Sequence, residues 1–269
     1  MSAALPVRLV EKVWGRDHLP PPFAAPAGKR IGEIWFEPPA AVPGLLVKYL
    51  FTSEKLSIQV HPGDAQAQAA GLGRQGKEEC WLVLDAQPGA VLGIGFDRQL
   101  GPGELRAAAL DGSIERLMAW HPVCAGDFFY IPAGTVHAIG PGVSLVEIQQ
   151  NSDVTYRLYD YGRPRELHLD AAVAVAEAGP YPASQHRRLP EQGEAALVDG
   201  PHFRLDRIAG APSAQTAARY AGPVLVLPLS GSATVDGSVI GPGACALAGS
   251  LAEPAFDAGG LFLVAQPCG

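Results

Sequence analysis

Positive charge is in short supply. Lysine and arginine together number 20 against 27 aspartates and glutamates in 269 residues, a formal net charge of −7. That balance argues against a nucleic-acid surface and leaves room for a local basic pocket that takes a small anion. Cysteine is scarce and scattered. Cys80, Cys124, Cys245 and Cys268 form no CxxC pair and lack the spacing of a small secreted domain, which speaks against a cysteine zinc site or a disulfide framework. No apolar run is long enough to span a bilayer. The start, Met1-Ser2-Ala3-Ala4-Leu5-Pro6, has no basic stretch leading into an apolar one, so a reducing cytoplasm is the expected compartment. Long helices are scarce as well, because 32 glycines and 25 prolines favour many turns and short strands. The length suffices for one large β domain or two smaller ones.

Short strands are expected at Val10–Gly15, Ile31–Phe36 and Leu45–Phe51. Trp14 and Trp35 read as core aromatics. Lys48 interrupts the third of these strands. It is either an edge lysine that discourages pairing or a lysine aimed into a polar cavity. Ala65–Ala70 reads as helical, and 79–95 as two strands parted by the turn Gln87-Pro88-Gly89. Residues 101–120 have helical composition and partial helical spacing, split by Gly112-Ser113, and read as a helical insertion. Strands return at Ser144–Gln149 and Val154–Tyr159, and a helix at Leu169–Ala178 capped by Asp170. Residues 180–195 look like a linker. Beyond it, short apolar runs at 223–229, 231–235 and 259–265 alternate with turns. Gly241–Gly249 loosely echoes Gly126–Gly134, with no histidine where His137 would fall.

The stretch Leu56–His61 carries the chemistry. Read as a strand, it turns Leu56, Ile58 and Val60 to one face and Ser57, Gln59 and His61 to the other. A polar face that carries an imidazole belongs either in water or in a cavity with a use for it. Glu79, Trp81 and Val83 share one face of a following strand, with Lys77 in line before them. The segment Gly126–His137 ends on a second histidine. Gln59, His61, Glu79 and His137 make a two-nitrogen, two-oxygen set suited to a borderline divalent ion such as zinc, with room for water or substrate. A lone histidine is commonly a satisfied polar residue; the joint pattern favours the metal. His18, His121, His168, His186 and His202 have no such spacing and read as surface or structural. Cys80 reads as a small buried residue on the face opposite Glu79.

Gly126-x5-Pro132-x-Gly134-x2-His137 resembles the second characteristic motif of cupins, and Gln59-Val60-His61 with Glu79 resembles the first, glutamine standing for the usual first histidine. Together with Gly76–Trp81 and Tyr156–Arg163, these residues resemble the type I mannose-6-phosphate isomerase family in its short bacterial form, over roughly residues 10–175. The resemblance implies a mainly β protein: a cupin jelly-roll barrel in 1–180, with a helical insertion around 101–120, and a second, degenerate cupin-like β domain in 181–269 without metal ligands. It implies one Zn2+ per chain on Gln59, His61, Glu79 and His137. Arg157 and Lys77 match active-site residues, and Ser57 and Lys48 match positions associated with substrate phosphate, which moves Lys48 towards the cavity reading. Glu78 stands where the family often has a neutral residue, and Pro141 where many cupins have an asparagine after the histidine.

The implied reaction interconverts mannose 6-phosphate and fructose 6-phosphate through a cis-enediol; the proton-transfer base is left open among Glu147, Asp153, Lys77, a water and a ligand carboxylate. The partner is a small sugar phosphate, with neither nucleic acid nor membrane; the oligomeric state is left open. Two other classes compete. An iron-dependent cupin oxygenase would need an oxygen-reactive metal and a more nitrogen-rich ligand set. A non-catalytic sugar-phosphate-binding cupin would bind without turnover.

Overall fold

The computed structural model describes residues 4–268; Met1–Ala3, part of the N-terminal stretch discussed above, lie outside the described residues. The first part of the chain runs β1 (Val7–Arg16), β2 (Ile31–Phe36), β3 (Leu45–Phe51), β4 (Ile58–Val60), α1 (Asp64–Ala69), β5 (Glu79–Ala86) and β6 (Val91–Phe96). It continues through α2 (Pro102–Asp111), α3 (Ile114–Leu117), β7 (Met118–Pro122), β8 (Asp127–Ile131), β9 (His137–Ile139), β10 (Val143–Gln150), β11 (Tyr156–Tyr159), α4 (Leu169–Val175) and β12 (His186–Arg188). Two antiparallel sheets result, one in the order β1-β2-β3-β10-β5-β8-β12 and one in the order β11-β4-β9-β6-β7. Consecutive strands often fall in different sheets, so the chain crosses repeatedly between the layers. The fold is mainly β, and the cupin jelly roll expected from the motifs takes the form of two facing sheets, not a closed hydrogen-bonded cylinder.

The central strands of the seven-stranded sheet are buried on both faces, which explains why they read as almost continuous apolar runs. On β3, Leu45, Val47, Tyr49 and Phe51 point outward into one core, joined by Cys80 and Leu82 of β5 and Val146 and Ile148 of β10. The alternate positions face the other sheet, where Leu50, Trp81, Val83 and Leu145 pack on Leu92, Ile94 and Ile139. Lys48 and Glu147 lie on this inner face, paired across the ladder. Lys48 is therefore no edge residue: β3 is hydrogen-bonded to β2 on one side and β10 on the other.

The outward core is shared with the rest of the chain. β13 (Ala195–Asp199), β14 (Phe203–Ala209), α5 (Ala214–Ala217), β15 (Val224–Ser230), β16 (Ala233–Val235), β17 (Ser238–Ile240), β18 (Ala246–Ala248), β19 (Ala255–Phe256) and β20 (Leu261–Pro267) form two further sheets, β13-β14-β20-β15-β18 and β17-β16-β19. Phe203, Leu205, Leu225, Leu227 and Leu263 meet Tyr49 and Phe51 in one cluster.

Three local expectations are corrected. The 180–195 segment is not a plain linker: β12 pairs with β8 and extends the first sheet. The helix after Leu169 ends at Val175, and its N-cap is His168 with no side-chain cap bond, Asp170 sitting inside the first turn. Trp35 is only partly buried and carries Arg8 and Lys48 against its ring, at 4.2 and 4.4 Å. The helical insertion is divided as expected, at Gly112, which takes a left-handed φ of 79°.

Candidate active site

The regular strand around His61 is shorter than its sequence suggests, with only Ile58–Val60 in the ladder. It nevertheless carries Gln59 directly opposite His137 of β9. Glu79 opens β5 in the facing sheet. The turn ahead of His137 depends on Gly134, whose φ of +87° is available to glycine and strained for other residues.

His61, Glu79 and His137 are all buried, and one donor atom from each lies within 4.8 Å of the others. Both imidazoles are fixed by the backbone. His61 Nδ1 is 2.7 Å from the carbonyl of Val154, and His137 Nδ1 is 2.9 Å from the carbonyl of Thr135. A carbonyl only accepts, so each Nδ1 carries the proton and each Nε2 presents a lone pair. Those two Nε2 atoms lie 3.8 and 3.4 Å from Glu79 Oε1, which no hydrogen bond satisfies. Tetrahedral zinc with bonds near 2.05 Å separates its ligands by about 3.3 Å, close to those spacings.

The surroundings keep the donors unprotonated or poised. Burial pushes His61 well below the ordinary imidazole range, with Lys77 and His137 adding to the effect. Burial likewise brings His137 down to about 4. Glu79 is raised, first by burial and then by the neighbouring Glu147 charge. Burial alone would raise Glu147 too, but Lys77 and Lys48 outweigh it and hold it at about 2.

Positive charge is already drawn to this point. Lys77 Nζ donates to His61 Nε2 at 3.2 Å and pairs with Glu79 Oε2 at 2.7 Å. Lys48 Nζ is 3.1 Å from Glu147 Oε1, whose other oxygen accepts from Trp81 Nε1 at 3.1 Å. Gln59 Nε2 donates to His137 Nε2 at 3.3 Å while its Oε1 accepts from Ser57 Oγ at 3.1 Å. A half-turn of that amide exchanges its oxygen and nitrogen, so Gln59 can offer Oε1 towards the imidazoles and donate to Ser57 instead.

Above the donors opens a cavity of about 100 Å3 whose wall carries Lys12, Lys48, Lys77, Arg157 and Arg165 against Glu33, Glu147 and Asp153. An excess of cations inside a chain of net negative charge suits an anionic guest. Arg157 forms no salt bridge among the described residues, and its Nε is buried without a partner. Arg165 is different: it grips the buried Asp160 with two bonds of 2.6 and 2.7 Å. The structure thus gathers all eight residues singled out in the sequence: Gln59, Lys48, Lys77, Ser57 and Arg157 at the cavity wall, and His61, Glu79 and His137 beneath it. Lys12, Glu33 and Arg165 also line it and were not foreseen; Lys12 and Glu33 sit in strands that read as ordinary amphipathic ladders, so only the folded arrangement reveals them. Of the wider cavities elsewhere, those of about 430 and 510 Å3 contain no histidine, and their arginines are bound to carboxylates or to backbone carbonyls.

No family profile matches the chain. It is 37% identical over 213 residues to mannose-6-phosphate isomerase of Streptococcus mutans, covering 76% of this chain and 66% of that protein. It is 38% identical over 172 residues to a mannose-6-phosphate isomerase of Bacillus subtilis, covering 61% and 54%. The matched stretches thus span about half to two thirds of the length of these relatives. Among solved structures, mannose 6-phosphate isomerase from B. subtilis superposes with a TM-score of 0.77 at 25% identity over 98% of both chains. A protein from Archaeoglobus fulgidus, described as a putative mannosephosphate isomerase, shares the fold with a TM-score of 0.74 at 17% identity over 98% of this chain and 96% of that one.

Proposed function

From the premise that this chain belongs to the mannose-6-phosphate isomerase family, we propose that it is a zinc-dependent, cytoplasmic aldose–ketose isomerase that interconverts mannose 6-phosphate and fructose 6-phosphate. The observation that carries the reading is Glu79 Oε1, a buried oxygen with no hydrogen bond, facing two imidazole lone pairs. Glu79 Oε1 has no donor, the two imidazole lone pairs beside it are met only by Lys77 and Gln59, and a cation between these three acceptors would answer all of them at once. The donor types, two imidazoles, a carboxylate and the Gln59 amide, suit zinc.

Zinc held there would polarise the sugar's carbonyl and hydroxyl oxygens as a Lewis acid. The chain's own groups supply the rest. Arg157, with no carboxylate to neutralise it, is placed to stabilise the negative charge that develops on the open-chain sugar as it passes to the cis-enediol. Lys77 contributes a second positive charge at the same depth. Lys48 and Ser57 hold the phosphate end, Lys48 as a buried point charge. Glu147 is engaged by Trp81 and Lys48, and Lys77 by Glu79. Asp153 forms no salt bridge among the described residues and lines the cavity, which leaves it available to carry the proton between the neighbouring carbons. We assign this chemistry to residues 1–180, and to residues 181–269 a supporting role without metal ligands.

The test is a coupled assay for fructose 6-phosphate formed from mannose 6-phosphate, run on the purified chain, after chelation, and after zinc is restored. Activity is expected to fall on chelation and return with zinc. Turnover indifferent to chelation contradicts the metal; a zinc-loaded chain that binds the sugar without turnover contradicts the isomerase.

A further inference from the structure

The loops that deliver His61 and Glu79 are bound to each other by a polar cluster that the reading above does not use. Asp64 follows the His61-Pro62-Gly63 turn, and its Oδ1 accepts from Gly76 N at 2.7 Å and from Gln150 Nε2 at 2.9 Å. Gln150 Oε1 in turn accepts from Glu78 N at 3.0 Å. The end of β10 therefore holds the approach to Glu79 and the exit from His61 together. The backbones also touch: a Cβ on Gly76 would fall 2.3 Å from the carbonyl oxygen of Pro62, so only glycine fits there.

The remaining member of the cluster comes from the other β unit. His202, in the turn between β13 and β14, places Nε2 at 3.1 Å from Glu78 Oε2 and Nδ1 at 3.3 Å from Gln150 Nε2 and 3.7 Å from Asp64 Oδ2. The amide nitrogen of Gln150 only donates, so His202 Nδ1 accepts and Nε2–H donates to Glu78. His202 is itself held from behind, its carbonyl accepting from Cys268 N at 2.9 Å. Glu78 points away from the cavity while Lys77 and Glu79 on either side of it point in. A hold on Glu78 is therefore transmitted through two adjoining peptide units to both.

We propose that His202 is a positioning residue for the metal centre: gripping Glu78, it fixes the backbone from Gly76 to Glu79 and hence where the Glu79 carboxylate and the Lys77 ammonium stand. This rests on the metal reading given above, though not on the identity of the substrate. It also gives the C-terminal unit, which has no metal-ligand cluster of its own among the described residues, a direct hold on the site.

The experiment uses the full chain stripped of metal and titrated with zinc against a chromophoric chelator, with no substrate present. His202→Ala is expected to weaken zinc binding about tenfold, the lower end of what loss of an outer-shell partner does. At saturating zinc its kcat should fall by about two- to fivefold, because the Lys77 ammonium loses its fixed position, while its KM for mannose 6-phosphate stays within about twofold of wild type, since Lys48 and Ser57 are untouched. His202→Gln, with both a donor and an acceptor on a side chain of similar reach, should recover most of the affinity. Wild-type zinc affinity in His202→Ala overturns the proposal. So does equal weakening in both variants accompanied by an equal fall in unfolding temperature, which marks a contact that only holds the fold. Should His202→Ala not fold, His202→Asn, polar but too short to span to Glu78, decides by the same titration. A wild-type chain that binds zinc and isomerises nothing would defeat the function proposed above and leave this inference standing.

Discussion

Gly126–His137 and Gly241–Gly249 both leave a glycine turn for a strand, β8 in one case and β18 in the other, yet only the first leads to a donor atom. The interiors they serve differ in the same way. Between the first two sheets, Lys48, Lys77, Glu79 and Glu147 are all buried. Inside the second unit the corresponding volume is filled by Ile208, Val224, Val226, Val235, Phe262 and Val264. Charge does occur there, but it is answered: Asp206 accepts from Tyr220 at 2.6 Å and Arg219 at 3.0 Å, and Arg207, on the opposite face of β14, donates to the carbonyls of Pro190, Gln192 and Gly193. Buried charge with local partners is ordinary structure. Buried acceptors aimed at one another, as at Glu79, persist where a cation resolves them. Shared architecture says little about chemistry; the inward residues of a few strands decide it.

The largest effect that would separate the two units is loss of a ligand from the first. His137→Ala should weaken zinc binding by more than about a hundredfold, beyond the range for an outer-shell partner, and remove turnover with it. Circular dichroism should show the fold retained. Unchanged zinc content in that variant takes His137 out of the site. A core cut in the second unit should act the other way. Phe262→Ala removes a fully buried ring that packs edge-on against Phe256 at 4.9 Å. It should lower stability by about 3–5 kcal/mol in denaturant titration, with zinc still bound by the folded fraction. Zinc lost from a folded Phe262→Ala chain would erase the contrast. The smallest effect is expected from Ser57→Ala, which frees the Gln59 amide of one hydrogen bond, about 0.5–1.5 kcal/mol. It should raise KM for mannose 6-phosphate by about three- to tenfold and leave kcat nearly unchanged; the reverse pattern would move Ser57 from holding substrate to shaping the transition state.

Much of this was legible in the linear sequence because the donors announce themselves locally. Gln59 and His61 alternate on one strand, and the Pro132-x-Gly134 turn fixes the direction of His137. Strand β3 could be drawn to the residue because seven apolar-rich positions lie between turns. What could not be read is anything set by register between distant segments. Strand pattern alone leaves Lys48 between edge and cavity; the family resemblance favours the cavity, and the pairing with β10 that sets Glu147 opposite it is visible only in the fold. His202 reads from the sequence as a surface or structural histidine with no visible partner, because Glu78, Asp64 and Gln150 lie far away in sequence. The strand at 186–188 was hidden in a polar stretch whose pairing with β8 no local pattern signals.

The central claim is that one cation is shared by side chains from both sheets of the first unit. Diffraction from zinc-loaded crystals at the zinc absorption edge tests it directly. The account predicts one anomalous peak per chain, about 2.0–2.2 Å from His61 Nε2, His137 Nε2 and Glu79 Oε1. A fully loaded, active protein with no peak between these three atoms, or with its peak at Cys124 or His186, would contradict it.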